Sequence, residues 1–356
     1  MKIYEEYKKL LKTKFDDGFS LSKAWFTTFT LSPEFFESYL LPPLLEQEDE
    51  IPKSYIQFEE MIAKLTESKA DIKVFYDASM PIDGIKKTTV AFTGVIHTSG
   101  LFHPKLTLLE FEKGGQTDSF IMVGSANISV SGWARNREAV VVKKVETDFQ
   151  LEQVNTFFAG FYQQKKAINN KNNLSAHQPE DWRLIHTNPE FSFLDAIKNL
   201  NMPEWLVWSP YFSDLNFFTE VRNELKGTGI KVIPDLVGED KKVRMTDTGQ
   251  ELFYSDGQEQ DERFNHAKVW LSQNYLIVGS HNFTREALAN QTNQNYEVSI
   301  LEPLKETQDF FNRLELQCLD DINVMSKEEC EQEALPSGKN NFVFELEVDH
   351  KDKTIT

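Results

Sequence analysis

"HAKVWLSQNYLIVGSHN" (residues 266–282) decides how this chain is read. His266 and Lys268 stand one residue apart, a strand-like apolar run follows, and Gly279-Ser280-His281-Asn282 closes it. A stretch of the same design begins 163 residues earlier, with His103-Pro104-Lys105, an apolar run and Gly124-Ser125-Ala126-Asn127. Each copy then has a third part, Asn136-Arg137-Glu138 in the first and Asn295-Tyr296-Glu297 in the second. Asn282 follows Asn127 by 155 residues and Glu297 follows Glu138 by 159, so three signals recur at nearly constant displacement. That is the mark of an internal repeat.

The order of elements repeats with the motifs. Aromatic and β-branched runs predict strands at 24–30, 71–78, 89–100, 101–112, 119–129 and 136–146. Helices are expected at the N-terminus, from Ser32 as N-cap with Pro33 behind it, and from Thr147 or Asp148. In the second half strands are expected at 204–212, 230–237, 266–273, 275–280 and 296–300, with helices at 216–226 and 304–319. The alternation gives two pseudo-symmetric α/β sandwich halves with mixed central sheets and a site at their interface. The halves are residues 1–170 and 171–325, joined through a polar linker at 165–181, and 326–356 is an acidic extension. Residues 238–265 read as a long charged insertion that ends against His266, and 340–348 alternates like an edge strand.

The chemistry follows from residue type. Along a strand, positions i and i+2 share a face, so His and Lys of each motif point the same way. Gly lets two backbones approach, and Ser and Asn beyond it can donate to an oxyanion. Two such units meeting at a pseudo-two-fold axis bring two His, two Lys, two Asn and two Ser to one point. A phosphodiester suits that set: one imidazole attacks phosphorus, the other protonates the leaving oxygen, and lysines and asparagines offset the charge that builds. Ser125 and Ser280 are expected to bind the phosphate. The sequence has no Cys/His or carboxylate spacing suited to a metal, so neither metal nor cofactor is expected.

The doubled pattern resembles the phospholipase D superfamily, whose signature is His-x-Lys, a downstream Asp, and Gly-Ser-x-Asn. The resemblance spans about residues 20 to 320. At the Asp position this chain has Glu110 and Gln273, a loss shared with the tyrosyl-DNA phosphodiesterase branch. The first copy also carries an insertion whose turn passes through Gly114-Gly115. The resemblance implies that Glu138 and Glu297 orient the catalytic imidazoles, that the intermediate is a phosphohistidine, and that His103 is the nucleophile and His266 the general acid. The residues alone do not separate those last two roles.

Composition narrows the substrate. The chain has 356 residues, is 40% hydrophobic and carries a formal net charge of −18, which opposes a broad phosphate-neutralising surface. No apolar run approaches the ~20 residues of a membrane span, and the two cysteines, Cys318 and Cys330, are too few for a disulfide framework. A cytoplasmic, metal-independent nuclease acting on DNA rather than RNA is the expectation, with a helicase or ATPase partner of a bacterial defence, restriction or repair system reconciling that chemistry with the acidic charge. The alternatives are a phospholipase or phosphatidyl transferase and a non-catalytic DNA-binding scaffold. His281 reads as a pocket wall, His97 as a strand residue, and Trp133 as packing rather than a base platform.

Overall fold

In the computed structural model the described residues are 3–47, 55–82, 84–162, 167–168, 174–176, 178–187, 191–213, 215–237, 242–243, 253–255, 263–289, 293–304, 316–318, 348–349 and 354–355. Met1–Val324 form one unit and Met325–Thr356 another. Both halves read from the sequence lie within the first.

The aromatic run "AWFTT" lies in β1 (Ser20–Thr28), where Ala24, Trp25 and Phe26 are fully buried. It is central to a six-stranded mixed sheet with β2 (Asp71–Asp77), β3 (Ala91–Val95), β4 (Leu106–Lys113), β5 (Gln116–Gly124) and β6 (Val140–Lys144), in the order β3-β2-β1-β4-β5-β6. β1, β2 and β3 run parallel, and β4, β5 and β6 are antiparallel to their neighbours. Gly114 and Gly115, at φ of 57° and 85°, make the β4–β5 turn, a conformation that glycine adopts without a Cβ penalty.

The second half repeats this plan with β7 (Arg183–His186), β8 (Glu204–Trp208), β9 (Gly229–Ile233), β13 (Val269–Leu271), β14 (Tyr275–Gly279) and β15 (Val298–Pro303), in the order β7-β15-β14-β13-β8-β9. The pairs β10 (Leu236–Val237) with β11 (Lys242–Val243), and β12 (Phe253–Ser255) with β16 (Leu316–Cys318), lie outside the main sheets. Five strands of each sheet therefore correspond in order and direction. β3 is peculiar to the first half and β7 to the second.

The halves share a core. Trp25, Phe75, Phe102, Phe157 and Phe158 of the first half cluster with Trp182, Leu184, Tyr296, Val298 and Ile300 of the second. The helix Asp148–Ala159 brings the two phenylalanines to that cluster, and its start carries the expected Thr147 cap in a capping box with Gln150. Among the described residues no helix is long and apolar enough to cross a membrane.

One expectation changes. The periodicity of 304–319 predicts a helix, but Leu316–Cys318 is a strand paired with Phe253–Ser255. "LELQC" alternates apolar and polar with period two, which pairing selects over the helical reading. Cys318 is thus on a strand. Residues 305–315, most of the 238–265 insertion, the middle of the linker and nearly all of 340–348 lie outside the described residues.

The motif glycines are needed for packing. A Cβ on Gly279 would sit 2.1 Å from Ser299 Oγ and 2.3 Å from Val298 O, and one on Gly124 would sit 2.4 Å from Ala139 O. Gly279→Ala and Gly124→Ala are each expected to destabilise the fold by about 1–3 kcal/mol through overpacking. Urea unfolding checks this, and an unchanged midpoint for both variants contradicts it.

Candidate active site

The site lies where β1, β2, β5 and β8 end and β4 and β13 begin. His103 and Lys105 precede β4, and His266 and Lys268 precede β13, so the motif residues occupy extended leads into strands rather than the strands themselves. A crossed backbone exchange sets these leads. His103 N donates to Tyr296 O at 2.9 Å and Tyr296 N to Leu101 O at 2.8 Å. In mirror fashion His266 N donates to Arg137 O and Arg137 N to Phe264 O, both at 2.9 Å. Each half thus fixes the histidine segment of the other.

The side chains cross in the same way. His103 Nδ1 pairs with Glu297 Oε2 at 2.8 Å, and His266 Nδ1 pairs with Glu138 Oε1 at 2.9 Å. Each carboxylate holds the imidazole of the opposite half, and the pairs fix Nδ1 and direct Nε2 away from it. Asn136 and Asn295 donate to Glu138 and Glu297, each at 3.2 Å. All four members of the two pairs are buried or nearly so, with His103 7% and His266 8% exposed.

The remaining motif residues divide into two kinds. Lys105 Nζ donates to His103 O at 2.8 Å and Lys268 Nζ to His266 O at 2.7 Å. Ser125 and Ser280 are fully buried. The Ser125 hydroxyl donates to Glu138 and accepts from Ala139 N, and that of Ser280 donates to Val298 O at 3.2 Å and accepts from Val298 N at 2.9 Å. Both hydroxyls are thus engaged within the protein, which differs from the phosphate contact expected of them. The amide oxygens of Asn127 and Asn282 are buried without a hydrogen-bond partner.

The charges form one cluster. Both lysines act on both histidines, and both glutamates act on both lysines. Burial and then the Lys105 and Lys268 charges push the His103 imidazole well below its ordinary range. Burial and Lys268 bring His266 to about 4 despite Glu138. Burial lowers Lys105 to about 7 and depresses Lys268 as well. The carboxyls differ. Burial raises Glu138, but the hydrogen bond and charge of His266 outweigh it and leave Glu138 below the usual carboxylate range. Burial lifts Glu297 above that range, against the charges of His281 and Lys105.

Two residue pairs escaped the sequence reading. Asp77 Oδ2 accepts from Phe102 N at 2.6 Å and Asp235 Oδ1 from Asn265 N at 2.7 Å, so a buried aspartate anchors the residue before each histidine. The signal was present: "IKVFYD" (72–77) and "IKVIPD" (230–235) are a further copy of the repeat. Thr28 and Ser209 are the second pair, their hydroxyls accepting from Ile128 N at 3.0 Å and Phe283 N at 3.1 Å, next to each motif asparagine.

Other sequence candidates lie outside the chemistry. Glu110 makes a buried ion pair with Lys23 at 3.3 Å, and Gln273 is exposed, so neither stands in for the missing Asp. His281 is 2% exposed, with Nδ1 2.7 Å from Ser299 Oγ and its ring 4.7 Å from that of Phe193. It packs behind the site. Trp133 packs on Tyr7, with ring centroids 5.5 Å apart. His97 Nε2 contacts Gln294 O at 2.9 Å and helps clasp the halves. Among the described residues no group of three or more His, Cys, Asp or Glu is placed to hold a metal ion.

No family model and no curated protein matches the sequence. Solved structures do. A polyphosphate kinase from Porphyromonas gingivalis aligns over 87% of this chain at 11% identity and a TM-score of 0.48, and the chain spans about half of it, 48%. A mutant of the yeast tyrosyl-DNA phosphodiesterase aligns over 83% of this chain and 84% of its own at 12% identity, with a TM-score of 0.53. The phosphatidylserine synthase of Haemophilus influenzae Rd KW20 aligns over 89% and 85%, at 12% identity and a TM-score of 0.51. With two corresponding mixed sheets and a doubled motif at their junction, the chain has the fold of the phospholipase D superfamily.

Proposed function

We propose that this chain is a metal-independent phosphodiesterase, a nuclease that cleaves DNA through a phosphohistidine. The observation that carries the reading is the pair of crossed imidazole–carboxylate contacts around two buried lysines. With Nδ1 held by Glu297, His103 attacks phosphorus through Nε2. A P–N bond forms and the bond to the leaving oxygen breaks, while His266 gives that oxygen its proton. Water then attacks the phosphohistidine, neutral His266 takes a proton from it, and the P–N bond breaks to release the phosphate and His103. Lys105, Lys268 and the amides of Asn127 and Asn282 offset charge on the phosphoryl oxygens. The ionised Glu138 favours a proton on His266 and so supports its role as the acid. A helicase or ATPase partner that delivers the strand would fit the charge of −18.

Cleavage of a labelled oligonucleotide is expected to persist in EDTA. His103→Asn and His266→Asn should each remove most turnover, and the double variant should be little worse, because the pair acts as a unit. Acid-quenched labelling of the His266→Asn variant with an activated phosphodiester should place phosphate on His103. Label on His266 in the His103→Asn variant, with none on His103 in the other, would reverse the roles. Loss of cleavage in EDTA with recovery in magnesium would overturn the mechanism.

The pH profile is fixed in sign. Activity needs His103 neutral, His266 protonated and Lys105 charged. The depressed His103 stays neutral down to low pH, the proton on His266 becomes scarce above about 4, and Lys105 loses its charge as pH rises through about 7. kcat/KM is therefore expected to be greatest at or below about pH 4 and to fall as pH rises from there through neutrality. A profile that is flat or rising from pH 6 to 9 contradicts this.

A further inference from the structure

An aromatic ring stands beside each catalytic imidazole. The Phe29 centroid is 5.0 Å from that of His103, and the Phe264 centroid is 5.4 Å from that of His266. Both rings are only partly buried. The repeat does not account for them. Phe29 follows Thr28, whose counterpart is Ser209, so its equivalent is Pro210. Phe264 precedes His266 by two residues, so its equivalent is Leu101. Two unrelated positions thus supply the same feature, one ring to each side of the site.

Exposed apolar side chains follow several of the strand ends that build the site, beside the exposed Arg135 and Arg263. Ile96 is 81% exposed, Leu101 40%, Val130 39% and Tyr211 43%. Ile96 follows β3, Leu101 lies two residues before His103, Val130 three after Asn127 and Tyr211 three after the end of β8. The cations of the site, Lys105 and Lys268, are buried within it.

We propose that Phe29 and Phe264 are stacking faces for the nucleotides on the two sides of the scissile phosphate, so that the substrate is an unpaired polynucleotide strand. The proposal rests on the phosphodiesterase reading of the site. A ring about 5 Å from the group that attacks phosphorus can reach only the adjoining base, and that base is open to a ring only when it has left a duplex. Stacking is indifferent to sequence and supplies affinity without a basic surface. The net charge of −18 opposes a lipid surface.

The test measures kcat/KM of the wild type, Phe29→Leu and Phe264→Leu on four substrates. These are a single-stranded oligonucleotide, the same strand with abasic sites flanking the scissile phosphate, the duplex, and anionic phospholipid vesicles. The wild type is expected to prefer the intact strand to the abasic one by about 10-fold for each flank, since stacking one base contributes about 1–3 kcal/mol. Each variant should bring the preference at one flank toward unity, whatever it does to the overall rate. With two lysines meeting phosphate, log kcat/KM against log salt should have a slope of about −1.4. Equal rates on intact and abasic strands, an unchanged preference in both variants, faster cleavage of the duplex, or faster cleavage of the vesicles would each overturn the proposal. Methyl p-nitrophenyl phosphate separates the two ideas. If the wild type turns over this base-free ester but shows no base preference, stacking fails alone. If it turns over neither ester nor oligonucleotide, the reading of the site fails and takes stacking with it.

Discussion

Each motif imidazole is held by a carboxylate from the other half of the chain. Glu297 grips His103 and Glu138 grips His266, and the backbone segments that carry these residues exchange hydrogen bonds in the same crossed sense. Neither half therefore completes its own histidine–carboxylate pair. A buried imidazole without its carboxylate would lose the contact that fixes its tautomer, and a buried carboxylate without its imidazole would be an uncompensated charge. The shared core of Trp25, Phe102, Phe157, Tyr296 and Val298 keeps the halves in the one arrangement that satisfies both pairs.

Crossing also explains the supporting residues. Ser125 and Asn136 donate to Glu138, and Asn295 donates to Glu297, so each carboxylate is also held from its own half. Asp77 and Asp235 fix the residue before each histidine, and Thr28 and Ser209 fix the residue after each motif asparagine. The halves are still not equivalent. Position 281 is a buried histidine where the first half has Ala126, and Glu297 is held above the usual carboxylate range while Glu138 is held below it. The two similar imidazoles thus face carboxylates of different character.

The fold was largely legible, because His-x-Lys, Gly-Ser-x-Asn and Asn-x-Glu recur at nearly constant displacement and the strands between them are rich in aromatic and β-branched residues. What a repeat cannot convey is which copy's glutamate meets which copy's histidine, since equivalence fixes positions within a half and not partners between halves. A hydroxyl beside a glycine suits an oxyanion equally well, and only the packing shows that Glu138 claims that of Ser125 and the Val298 backbone that of Ser280. A single aspartate at a strand end carries no signal until "IKVFYD" is set against "IKVIPD". In "LELQC" the period of two competes with the helical pattern before it.

Nitrogen chemical shifts of the two active-site imidazoles in carboxamide variants read the crossing itself. Glu297→Gln should change the Nδ1 signal and titration of His103 and leave those of His266 nearly as they were, and Glu138→Gln should do the reverse. If each substitution instead perturbs the histidine of its own half, with Glu138→Gln acting on His103 and Glu297→Gln on His266, the crossed pairs are not what builds the site.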